Sequence, residues 1–253
     1  MNDPLLSTFD TLVGALASAR ALLGRPITAS QALVATGRAF ALTVDDHLRV
    51  VPPSPDEIDA ALRALGVRGE PIETVSRLRE HGGLSLLWGV SGNAFGLVLR
   101  REGEELVARS PLAARETRVP LARLGGEKLV SILLHGLGEE APVAPAAAAR
   151  AELARPSSYR AWARILARHP LSRLDPEGNA WLIARATEAR VAAATVAPGR
   201  ELARELAILA ELGTLFPLPE GGSLSAERTE RGAALLDEAA ALERAWLGRL
   251  AGS

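Results

Sequence analysis

The 253-residue chain has no cysteine. Disulfide staples, thiolate nucleophiles, zinc ribbons and iron–sulfur clusters are therefore excluded, because each needs a cysteine sulfur. Lysine is nearly missing as well, Lys128 being the only one, so the cations are almost all arginine. With a net charge of −1 the chain offers no electrostatic footprint to nucleic acid or to an anionic membrane. The arginines, beside so much Ala, Leu, Gly and Pro, read as compositional bias and not as phosphate recognition. Aromatics make up only 4% of the chain and are not interleaved with cationic stripes, which argues against a base-stacking platform. No apolar run approaches the ~18–20 residues of a membrane span. The opening "MNDPLLSTFD" is acidic and lacks a basic n-region, so no secretory signal is expected and a cytoplasmic location is.

What is present is ordinary material for one large domain or two modest ones. From Pro4 to Leu23, residues Phe9, Leu12, Val13 and Leu16 fall near helical spacing and form one apolar stripe. Thr28 and Gln31 make a capping box for a short helix that Gly37 would end. Ser54, Pro55 and Glu57 then give a stronger helix start, with Ile58, Ala61, Leu62 and Leu65 on one face and Gly66 as the stop. "ETVSRLREHGG" predicts another short helix. After it the period changes: "LSLLWGV", "AFGLVLRR" and "EELVARS" are short strand-like runs, with a hairpin turn at Arg101–Glu102–Gly103–Glu104. "RVPLARLGG" is read as one helical turn and "KLVSILLH" as a further strand. Helices at the front and strands behind them predict an α+β domain over residues 1–138.

An Ala/Pro-rich stretch over 139–156, with Pro142 and Pro145, is expected to be a linker. Residues 157–253 show only helical patterns, in four amphipathic segments that predict an all-α bundle or appendage. Trp162, Trp181 and Trp246 each fall in an apolar stripe there and are read as core.

Sites of familiar chemistry do not assemble. His47, His81, His135 and His169 are far apart in sequence and form no metal-binding spacing. His81 and His169 suit helix C-termini. His135 is read as structural, with a catalytic partner as the alternative. "GGEK" at Gly125–Lys128 lacks phosphate-loop spacing, and Gly89, Gly92 and Gly96 have no helix behind them to hold a pyrophosphate. The acidic pairs Asp45–Asp46, Glu104–Glu105 and Glu139–Glu140 suit solvated turns, and Glu238 and Glu243 are placed on exposed helix faces. No G-x-S-x-G elbow exists. Neither a catalytic residue, nor a metal, nor a cofactor is expected.

Four stretches carry a family resemblance. "DPLLSTFDTLVGALASARALLGRPITASQAL", "LTVDDHLRVVPPSPDEIDAALRALGVRGEPI", "LSLLWGVSGNAFGLVLRREGEELVARSP" and "RVPLARL" follow one another as a helix, a Gly-Arg-Pro turn, a second helix feeding a strand, a hairpin and a helical turn. Over a little more than half the chain this resembles the papain-like peptidase domain at the N-terminus of peptide- and protein-exporting ABC transporters. The resemblance implies a papain-like α+β fold. Active members use a Cys nucleophile, a His base and an orienting Asp. Here there is no Cys, Ala94 precedes Phe95 where the His would stand, and Ser110 precedes Pro111 where the Asp would stand. The chain is thus similar to the family's degenerate, non-cleaving members, which bind substrate. That likeness implies a protein- or peptide-binding adaptor with Trp88, Asn93, Phe95 and Ser110 as peptide contacts, although Trp88 and Phe95 also read as sheet core. The alternatives are a scaffold that self-assembles through its C-terminal helices, and an unrelated enzyme using His135 or the acidic pairs.

Overall fold

The computed structural model describes residues 8–49, 52–81, 83–113, 115–124 and 130–253. The chain divides into two compact units, and it crosses between them more than once. One unit runs to Thr36 and resumes over Pro52–Pro142; the other takes the segment that begins at Gly37 and then Val143–Ser253. The last of these crossings, between Pro142 and Val143, lies within the stretch 139–156 expected as linker, whereas the departure of the Gly37 segment from the first unit has no counterpart in the sequence reading.

The first unit is α+β, with helices preceding an antiparallel sheet. Helix α1 (Thr11–Leu22) starts at Asp10, whose carboxylate accepts the Val13 N–H at 3.3 Å. Ten of its twelve residues are buried, so the single apolar stripe read from the sequence understates it. Gly14, Ala15, Ala17, Ser18 and Ala19 are small enough to be covered on nearly every side, which is how a weakly amphipathic helix becomes a core helix. Helices α2 (Ala29–Ala35) and α3 (Pro55–Ala64) carry the two capping boxes, at Thr28/Gln31 and Ser54/Glu57. Strand β1 (Val67–Ile72) and helix α4 (Val75–His81) precede β2 (Ser85–Trp88), β3 (Phe95–Glu102) and β4 (Glu105–Arg109). Then come β5 (Thr117–Pro120), a 3-10 turn at Leu121–Leu124, and β6 (Ser131–Leu137). The segment expected as one helical turn is therefore a strand that runs into a helical turn.

The six strands lie in the order β1-β6-β2-β3-β4-β5, and every neighbouring pair is antiparallel. β1 contains Pro71, which cannot donate to a ladder, and it sits at an edge of the sheet where that is tolerated. One face of the sheet packs Leu87, Val90, Val98, Leu106 and Val119 against Leu78 of α4 and Leu121.

The second unit contains only helices among its described elements. Pro145–Leu153, expected as linker, is helix α5; it is followed by α6 (Ser158–Arg168), α7 (Pro176–Ala194), α8 (Arg200–Leu215) and α9 (Ala226–Ala251). Their core is built on Tyr159, Trp162, Leu182, Ile208, Leu212, Phe216 and Leu236, joined by Leu42 and Leu48 of the Gly37 segment. Trp162 and Trp246 are fully buried, as their apolar stripes predict, and Trp181 is half-buried. Glu238 lies on the surface, paired to Arg204 at 3.0 Å. Glu243, expected beside it on an exposed face, is instead buried, because it occupies the same helical stripe as Ala239, Ala240 and Trp246.

Candidate functional site

The hairpin between β2 and β3 is positioned by its own backbone. Trp88 pairs with Phe95, the Gly89 N–H donates to the Ala94 carbonyl at 2.9 Å, and the loop closes through Gly89 at φ +84° and Gly92 at φ +58°. Those left-handed angles need glycine. The Trp88 and Phe95 rings meet edge to face, 5.2 Å apart at 71°. Trp88 is half-buried and Asn93 is exposed, whereas Phe95 is completely enclosed and Ser110 nearly so.

Trp88 and Asn93 line a cavity of about 430 Å³. Arg118 and Val119 of β5 also line it, with Arg123 and Leu124 of the turn that follows. β5 is the terminal strand of the sheet order, paired among the described residues with β4 alone, and its residues Thr117 to Val119 line the cavity. Arg118 is held by Glu105 at 3.0 Å and Glu102 at 2.7 Å, and Arg100 joins Glu102 at 2.8 Å and Glu116 at 3.1 Å. Hydrogen bonds, first from Arg100, hold the Glu102 and Glu116 carboxyls below the usual carboxylate range. These pairs are exposed, and water screens them. Arg123, exposed on the rim, has no ion-pair partner among the described residues.

Phe95 and Ser110 do not reach this cavity; they belong to a second, closed cluster. The Phe95 N–H donates to Thr11 Oγ1 at 3.0 Å, both groups being buried. Ser110 Oγ accepts the Leu112 N–H at 3.2 Å, forming a local turn before β5. Pro111 packs on Gly14, where an added Cβ would lie 2.9 Å from the proline ring and 2.1 Å from Thr8 Cγ2. The start of α1, the start of β3 and the Ser110–Pro111 corner thus converge. Thr11 makes the first of these contacts and Gly14, one turn further along α1, the second. Asp10 beside them is engaged in capping α1.

The remaining candidates are dispersed. His135 is half-exposed on β6, 3.6 Å from Glu70 of β1. His81 is at the exposed end of α4. In the helical unit His169 ends α6, and the His47 ring meets it edge-on at 6.1 Å, a proximity that sequence spacing does not announce. Among the described residues no group of three or more His, Asp and Glu is arranged to hold a metal ion. The phosphate-loop candidate at Gly125–Lys128 lies outside the described residues. No described helix is long and apolar enough to cross a membrane.

No family model matches the sequence, and no curated protein matches it. Among solved structures, the chain is similar to the peptidase domain of Streptococcus ComA, a bi-functional ABC transporter involved in a quorum sensing pathway. The two are 15% identical with a TM-score of 0.40, and the likeness covers 52% of this chain and 97% of that one.

Proposed function

We propose that the α+β unit binds an extended peptide without cleaving it, as an adaptor for an export or processing system. The observation that carries the reading is the cavity of about 430 Å³ beside the β5 edge, with exposed Asn93 and half-buried Trp88 on its wall. An extended peptide added to a free strand edge gains main-chain hydrogen bonds, and an adjoining pocket for one of its side chains supplies selectivity. Trp88 contributes apolar area to that pocket, Asn93 an amide that both donates and accepts, and Arg123 a cation at the rim.

The absence of cleavage is argued from the convergence around Thr11. An acyl-transfer site needs a nucleophile, a base within hydrogen-bond reach and a group that orients the base. Thr11 Oγ1 accepts the Phe95 N–H and among the described residues donates to no base, Ala94 has no titratable group, and Ser110 closes its own turn. The loose sequence resemblance to a peptidase family therefore fits a scaffold whose reacting groups have been replaced while the contacts between its segments persist. Phe95 and Ser110 hold that scaffold, and Trp88 and Asn93 face the ligand.

Selection from a random dodecapeptide phage library against the immobilised full chain tests this reading. Enrichment with the wild type that is lost with both Trp88→Ala and Asn93→Ala supports it. No enrichment, or enrichment indifferent to both substitutions, rejects it.

A further inference from the structure

The helical unit buries a charge cluster that the proposed function does not use. Arg190, Glu205 and Glu243, on α7, α8 and α9, are each at most 2% exposed. Arg190 Nε donates to Glu205 Oε1 at 2.6 Å, its Nη1 donates to the Ala39 carbonyl at 2.9 Å, and its Nη2 donates to Glu243 Oε1. Tyr159 Oη of α6 donates to Glu205 Oε1 at 2.8 Å, and Trp246 Nε1 of α9 donates to Glu205 Oε2 at 2.6 Å. The guanidinium also lies over both aromatic rings, 5.6 Å from the centroid of Tyr159 and 5.5 Å from that of Trp246.

One guanidinium balances one carboxylate, and two face it. Glu205 receives three donors from three helices, the environment that suits an anion. Among the described residues Glu243 accepts from Nη2 alone, and it faces two further carboxyl groups, Glu205 and Glu152 of α5. Glu152 is itself buried, with Arg155 at 4.0 Å. A second uncompensated anion in such surroundings costs more than carrying a proton.

We propose that Glu243 enters the folded helical unit as the neutral acid, so that a bound proton keeps α9 locked to α7 and α8, and that the lock weakens when the proton leaves. The groups that face it are Arg190 from α7, Glu205 from α8, Glu152 from α5 and Tyr159 from α6, with Trp246 on its own helix and the Ala39 carbonyl from the Gly37 segment. Burial is the largest influence, pushing the Glu243 carboxyl up to about 7; Arg190 opposes it, while Glu205 and Glu152 add to it. Burial likewise raises Glu152 and keeps the Tyr159 phenol protonated. The folded value lies above the ordinary 4.5, so this group's stabilising effect is complete below about 4.5. It is lost as pH rises toward 7, and nothing further is lost beyond that.

Glu243→Gln fixes the neutral form and tests this directly in the full chain. Thermal unfolding is followed by tryptophan fluorescence, which reports mainly the helical unit because Trp162, Trp181 and Trp246 lie there. The expected result is that the variant's melting temperature gains about 5 °C on the wild type between pH 5 and pH 8. A difference that stays constant or shrinks over that range overturns the proposal, because it means that the wild-type carboxylate is already ionised. If the variant does not fold, carbon NMR of the Glu243 carboxyl in the wild type decides. A midpoint near 7 supports the proton lock, and one below 4.5 overturns it.

Discussion

The two units handle charge in opposite ways. In the sheet unit the charges of β3 to β5 form an exposed ladder, with Arg100 and Arg118 threaded between Glu102, Glu105 and Glu116 at 2.7 to 3.1 Å. In the helical unit Arg190, Glu205 and Glu243 meet at similar distances but inside the core. Similar geometry in two dielectrics gives different energetics. Water offsets most of what the surface ladder gains, whereas each buried partner is held in place by the cost of leaving the other unpaired. The sheet unit is therefore free to use its polar surface for binding, and the helical unit has spent its polar groups on fixing four helices and the Gly37 segment.

Removing the central cation from each network gives the sharpest contrast. Arg190→Ala strands the buried Glu205 carboxylate, takes the donor from the Glu243 carboxyl, and is expected to cost about 3–5 kcal/mol, read as a lower denaturation midpoint of the helical unit. Trp246→Phe keeps one aromatic ring but removes the donor to Glu205 Oε2 and some buried volume, for about 1–3 kcal/mol by denaturant unfolding followed by circular dichroism. In the sheet unit, Thr11→Val leaves the buried Phe95 N–H without its acceptor. Its expected cost is about 1–2 kcal/mol, with faster hydrogen exchange at Phe95. Arg100→Ala breaks the ladder at a residue that joins two carboxylates and is expected to leave the midpoint unresolved from the wild type, at low salt and high. If Arg100 and Arg190 prove equally costly, the distinction between the two networks fails.

Local signals made much of the fold legible. The boxes at Thr28/Gln31 and Ser54/Glu57 announce their helices, and the runs from Ser85 to Arg109 announce their strands. β1 was expected only through the family resemblance, because "VRGEPI" carries Gly and Pro, which weaken any strand pattern of its own. The allegiance of the Gly37 segment depends on contacts with residues more than a hundred positions away, such as Ser158 Oγ donating to the Leu42 carbonyl. No local pattern encodes that. The buried cluster did leave a trace: Glu243 follows Leu236, Ala239 and Ala240 and precedes Trp246 at helical spacing. Arg190 and Glu205 likewise interrupt apolar stripes at Ile183–Ala186 and Leu202–Leu209. Three charges, each at a core position of a different helix, are what a shared buried network looks like before folding. The β2–β3 hairpin was legible as strands, but which of its residues are exposed was not, and burial divides Trp88 and Asn93 from Phe95 and Ser110.

The most direct measurement is to incubate the full chain with a pool of synthetic random dodecapeptides and analyse retained and released peptides by mass spectrometry. Retention of intact peptides by the wild type, abolished in Trp88→Ala and Asn93→Ala, is the predicted result. Cleaved products that accumulate with time, or no retention at all, would contradict a cavity that binds an extended peptide and leaves it whole.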